Sequence, residues 1–147
     1  MSEGVKFNKM SVPSYGQTTG VSFGASEVQL SSSGPRIMVF GGARTGGAVN
    51  ELWSYEQSTG DGWIQMVAEE GDTGGFPRAR TQSTLTSIGD EPQTTVILFG
   101  GYVLNIGPEN DLWQCVVGLD LSSMPVPSWT QLQPEGSPPE KRCAFAD

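Results

Sequence analysis

The sequence predicts an all-β protein built from four-stranded antiparallel sheets, and three observations carry that expectation. Glycine and proline are frequent, 20 and 10 of 147 residues, and they interrupt the chain too often for long amphipathic helices. Apolar runs of strand length, such as Ile37–Phe40 and Thr95–Phe99, sit between these breakers. The chain also repeats itself. Phe40-Gly41-Gly42 recurs as Phe99-Gly100-Gly101 after 59 residues, Asn50-Glu51-Leu52-Trp53 as Asn110-Asp111-Leu112-Trp113 after 60, and Trp63 as Trp129 after 66.

Taken in order, residues 1–12 form an N-terminal segment. An outer strand is expected to begin there at Phe7, since Val5–Met10 precedes Pro13 much as Trp63–Met66 precedes Pro77. The first repeat spans residues 13–76, with strands expected at Gly16–Phe23, Pro35–Phe40, Glu51–Glu56 and Trp63–Val67. The second spans 77–138, with strands at Arg80–Ser87, Thr94–Phe99, Asp111–Leu121 and Ser128–Leu132. Residues 139–147 repeat the opening of such a unit, with Pro139 and Arg142 standing as Pro77 and Arg80 do, and are expected to be the first strand of a third. The apolar runs are continuous rather than alternating, which predicts strands covered on both faces by stacked sheets.

The glycines at 41–42, followed by Ala43-Arg44-Thr45-Gly46-Gly47, raise the question of a phosphate cradle. Such a cradle needs Lys-Ser/Thr after the glycines or a helix start whose dipole faces the anion, and neither is present. A sharp turn at a crowded place is the expectation instead.

An apolar strand, Gly-Gly, a polar loop, Asn-Asp/Glu-Leu-Trp, a further Trp and Pro-x-x-Arg, occurring twice in the same order, resembles the kelch repeat over nearly the whole chain. The resemblance implies a β-propeller in which each repeat supplies one four-stranded blade. Its landmarks here are Gly41, Gly42, Trp53, Trp63, Gly100, Gly101, Trp113 and Trp129, with the tryptophans filling space between blades. A ring of this kind needs about four to eight blades, so two repeats make an incomplete one. The missing blades are expected from a longer polypeptide, from self-association, in which three copies would give six blades, or from a different chain. Arg80 and Arg142 resemble the arginine that opens the innermost kelch strand near the channel mouth. Each is read either as a ligand contact or as a structural bond to a neighbouring blade, and Gly16 stands at that position in the first repeat.

Charge and residue content narrow the function. The net charge of −8, from 8 Lys+Arg against 16 Asp+Glu, disfavours nucleic acid and anionic membrane surfaces as partners. There is no apolar run of about 20 residues to span a bilayer and no secretory h-region, so a cytoplasmic protein is expected. Cys115 and Cys143 make no C-x-x-C pair and are read as free thiols. The chain has no histidine, which removes Ser-His and Cys-His nucleophiles and imidazole metal sites. The acidic run Glu69-Glu70-Gly71-Asp72 is read as a solvated loop, with a cation or basic-peptide site as the sharper alternative; Arg78–Ser83, which resembles a basophilic phosphorylation site, is expected to be hidden in a strand.

No catalytic residue, metal ligand or cofactor is assigned. The expectation is a non-catalytic scaffold or adaptor that binds protein partners through the loops Ala43–Val49 and Tyr102–Glu109 and the inter-blade segments. Arg44, Arg80, Tyr102, Asn105 and Arg142 are the candidate contact residues. The competing readings are a small-ligand or metal-dependent specifier or enzyme with acidic residues at the channel mouth, and a structural subunit of a large assembly.

Overall fold

Ten strands run through the computed structural model, which describes residues 25–31, 34–56, 63–66, 75–88, 94–119 and 125–143. They are β1 (Ala25–Ser31), β2 (Gly34–Phe40), β3 (Ala43–Arg44), β4 (Gly47–Ala48), β5 (Leu52–Glu56), β6 (Trp63–Met66), β7 (Thr84–Ile88), β8 (Thr94–Val103), β9 (Gly107–Leu119) and β10 (Pro125–Leu132). Among the described residues there is no helix. The first sheet has the order β1-β2-β5-β6 and the second β10-β9-β8-β7, each entirely antiparallel, while β3 and β4 form a separate small hairpin.

The sequence repeat reappears as a repeat of register. Phe40 lies opposite Leu52 and Val39 opposite Trp53 in the first sheet; Phe99 lies opposite Leu112 and Leu98 opposite Trp113 in the second. Because a shift of one residue would turn every side chain to the other face, the common register puts equivalent residues on equivalent faces.

The core is one cluster drawn from both sheets: Met38, Phe40, Leu52 and Met66 from the first, and Leu85, Val96, Leu98, Trp113, Cys115, Val117 and Trp129 from the second. The sheets meet where the Trp129 ring of β10 packs edge-on against Phe40 of β2, with centroids 5.1 Å apart. Arg36 of β2 donates to Thr94 Oγ1 of β8 at 3.0 Å. Strand β1 also runs beside β7, and β6 touches β10.

Four expectations are revised. The first strand of the first sheet is Ala25–Ser31, in a stretch left between two expected strands, whereas Gly16–Phe23 lies outside the described residues. Its sequence, ASEVQLS, has only a weak apolar alternation. It is held by pairing with β2 at all seven positions, a tertiary effect that overrides local propensity. Strand β10 begins at Pro125 rather than Ser128, with prolines at 125 and 127; they are tolerated because β10 is a sheet edge with no ladder beyond it.

The apolar runs are not buried on both faces. Met38 and Phe40 are buried while Ile37 and Val39 are half-buried, and Val96 and Leu98 alternate in the same way with Thr95 and Ile97. One face enters the shared core and the other is only partly covered. The Gly-Gly pairs, finally, do not end the hairpins. In the second sheet the β8–β9 ladder continues past a bulge between Phe99 and Gly101 as far as Val103 and Gly107. In the first, Gly41 and Gly42 lead straight into β3 and β4. A bulge re-aims the paired strands without terminating them.

Candidate functional site

The Gly-Gly pairs are where one sheet hands the chain to the next. Gly42 N–H donates to the Arg80 carbonyl at 2.9 Å, Arg80 N–H to the Val49 carbonyl at 3.3 Å, and Thr81 pairs in both directions with Tyr102 of β8. The segment before β7 is therefore tied to the first sheet at Arg80 and to the second at Thr81. The glycines are required by that closeness. A Cβ on Gly41 would lie 2.5 Å from the Arg80 carbonyl oxygen, and one on Gly101 would lie 2.8 Å from both Thr81 O and Ser83 Cβ, at φ values of 68° and 101°.

The same arrangement recurs further on. Gly101 N–H donates to the Arg142 carbonyl at 3.0 Å, and Arg142 N–H donates to the Glu109 carbonyl at 3.1 Å.

The Arg80 side chain, 1% exposed, closes the first of these junctions. Its Nη1 and Nη2 make a two-pronged pair with Asp111 Oδ1 and Oδ2 at 2.6 and 2.7 Å. Nη1 also donates to the Gly100 carbonyl at 2.9 Å, and Nε to the Arg78 carbonyl at 3.0 Å. Trp113 Nε1 donates to Asp111 Oδ2 at 2.6 Å. Burial pushes the Asp111 carboxyl up, but the hydrogen bonds from Arg80 and Trp113 and the Arg80 charge outweigh it and hold the group below its ordinary value. Of the two readings of Arg80, this geometry supports the structural one, since the guanidinium is spent inside the protein.

Arg44 occupies the other corner. Its Nη2 pairs with Glu51 Oε1 at 2.8 Å, and Trp53 Nε1 donates to Glu51 Oε2 at 3.0 Å. Arg142 is exposed, and its Nε donates to the Glu140 carbonyl at 3.1 Å. The tryptophans divide by burial: Trp113 and Trp129 are buried in the core, whereas Trp53 and Trp63 are half-buried, with Trp63 tilted against Tyr55 at 5.5 Å.

Tyr102 and Asn105 lie on the β8–β9 hairpin, which is closed by the Ile106 N–H donating to the Val103 carbonyl at 3.1 Å and by Asn105 at a φ of 63°. Sequence reasoning missed the exposed apolar neighbours Leu104 and Ile106, 57% and 54% exposed. Their signal was two large aliphatic residues placed in a turn. It also missed Asp111 and Glu51 as the acids that answer the arginines. Their signal was an acid two residues before tryptophan in both repeats.

Among the described residues, no three acidic or cysteine side chains cluster closely enough to hold a metal ion. Cys115 is buried and Cys143 half-buried, both as free thiols. Among these residues no helix is long and apolar enough to cross a membrane. The outer strand at Phe7, Gly16 and the acidic run 69–72 lie outside the described residues. Ser83, within the stretch that resembles a phosphorylation site, has its Oγ buried with no hydrogen-bond partner. No family model and no curated protein matches the chain.

Proposed function

We propose that the two sheets are blades of a kelch-type β-propeller and that the chain acts as a non-catalytic scaffold binding protein partners through its hairpin tips and inter-sheet segments. The observation that carries this reading is the β8–β9 tip. Tyr102, Leu104 and Ile106 are 39%, 57% and 54% exposed at the end of a hairpin fixed by its ladder and by the Thr81–Tyr102 pairing. An exposed cluster of large apolar side chains, a tyrosine among them, marks a surface that a protein partner can cover. The internal repeat, its common register and the four-stranded antiparallel order support the blade assignment.

The test is peptide selection from a random displayed library against the immobilised chain, with the Leu104→Asp/Ile106→Asp double variant as comparison. Peptides that bind the parent and lose about tenfold or more in affinity to the variant are expected, since removing hot-spot side chains costs upward of about 1–2 kcal/mol. Peptides that bind both forms equally, or no selected peptide at all, would overturn the reading.

A further inference from the structure

We propose that the open groove of the second sheet receives the first sheet of a second copy of this chain. The inference rests on reading the two sheets as equivalent units that stack in succession, and it adds the occupant and its contact residues.

The two grooves are built from equivalent residues. In the first sheet, Asn50, Glu51, Leu52, Gln65 and Met66 line a space of about 220 Å³ that is closed by Pro127 and Trp129 of β10. In the second, Asn110, Asp111, Leu112, Gln131 and Leu132 line a space of about 630 Å³ whose other wall is the chain's own Gln133, Pro134, Gly136, Pro138 and Pro139, and among the described residues no further sheet reaches into it. Burial follows the same division: Phe40, Leu52 and Met66 are 1%, 2% and 5% exposed, while Phe99, Leu112 and Leu132 are each only half-buried. The second groove is the first one without its Pro-x-Trp lid.

Arg142 stands at the rim of this groove in the posture of Arg80. In both, Nε donates to the carbonyl two residues earlier, at 3.0 Å for Arg80 and 3.1 Å for Arg142, and the backbone carbonyl accepts from the second glycine of a Gly-Gly pair. Arg80 then reaches into the following sheet to grip Asp111, whereas the exposed Arg142 guanidinium meets no carboxylate among the described residues. A sheet seated there must bring a carboxylate where Asp111 stands and a tryptophan where Trp129 stands.

The first sheet of this chain carries both. Glu51 precedes Trp53 as Asp111 precedes Trp113, and Trp63 on β6 is the repeat counterpart of Trp129. Trp63 is half-buried, and the cation that Glu51 meets is Arg44, whose side chain is 32% exposed and is replaceable by Arg142 at little cost, with the Trp53 indole still donating to the carboxylate. Such a contact joins unlike faces, so it repeats head to tail until the ring closes. Two to four copies would supply the roughly four to eight sheets of a propeller.

Light scattering coupled to size exclusion on residues 1–147 is the test, run over a range of concentrations with Arg142→Glu, Glu51→Arg and the double exchange. We expect a discrete species of two to four copies. Each single variant should weaken association about 30-fold or more, and the double exchange should restore it. Near-UV circular dichroism of each variant at low concentration checks that the monomer remains folded. An oligomer indifferent to both charge reversals overturns the proposal.

A monomeric parent also overturns it, and the Trp129→Ala variant then separates the two levels. A large loss of melting temperature in that variant leaves sheet-on-sheet stacking intact and rejects only the second copy as occupant. No loss rejects the stacking itself.

Discussion

Both sheets place a carboxylate two residues before a tryptophan that donates to it, yet the two carboxylates answer different cations. Asp111 is gripped by Arg80, which arrives on the segment between the sheets, is 1% exposed and makes a two-pronged pair. Glu51 is met by Arg44 from the adjoining β3–β4 hairpin, and that side chain is 32% exposed. The same local motif is therefore a lock where an incoming segment crosses it and a half-buried clasp where none does among the described residues. What differs is solvent. A pair shielded from water leaves a strong penalty when one partner is lost, while a hydrated pair leaves almost none.

The largest expected effect breaks this comparison directly. Asp111→Ala leaves the Arg80 guanidinium buried with only carbonyl oxygens for company and should cost about 3–5 kcal/mol. Glu51→Ala should cost about 1 kcal/mol, since the half-buried Arg44 can turn to solvent and the Trp53 indole alone loses its acceptor. Urea melts of the two variants beside the parent measure both numbers. Equal losses would mean that the corners are energetically alike and that the burial of Arg80 has no consequence.

A smaller difference tests the backbone side of the same junction. Gly41→Ala would press a methyl group to 2.5 Å from the Arg80 carbonyl oxygen at a φ of 68°, and we expect a loss of about 3 kcal/mol. Gly46, at a φ of 106° on the hairpin tip, has nothing within 4 Å of a built Cβ, so Gly46→Ala carries backbone strain alone, about 1 kcal/mol. Thermal melts of the two variants give the gap, which reports the close approach of the segment and not glycine's conformational freedom. If Gly46→Ala proves the more damaging, the junction is not the constraint.

Much of this was legible from residues. The pairing of Phe40 with Leu52 and of Phe99 with Leu112 follows from a repeat visible in the sequence, because identical landmarks at nearly constant spacing can be satisfied only by identical registers. Strand β1 was not legible. Its pattern is weak, and its hydrogen bonds come from a partner strand that no local window contains. The extension of β8 through Gly100 and Gly101 was hidden for a related reason: a bulge and a turn make the same demand for positive φ, and only the pairing beyond it tells them apart.

At the site, the arginines stood out, but the identity of their acids depended on how the corners fold. Asp111 and Glu51 lie 31 and 7 residues from the arginines they meet.

The smallest expected effect isolates the charge of Asp111. Its carboxyl is held below its ordinary value, so the folded chain binds that proton less readily than the unfolded chain does. The stabilisation is then complete above the ordinary aspartate range, near pH 4, and is lost as the pH falls through the lower folded value. Asp111→Asn keeps the shape of the side chain and removes that titration. The parent should melt above the variant at pH 7, and the gap should narrow as the pH falls below about 4. Other carboxylates titrate in both proteins, so the difference between the two curves belongs to Asp111. A gap that stays constant across that range would mean that Arg80 and Trp113 hold residue 111 by shape and hydrogen bonding alone. The contrast between a buried charged lock and a half-buried clasp would then have to be given up.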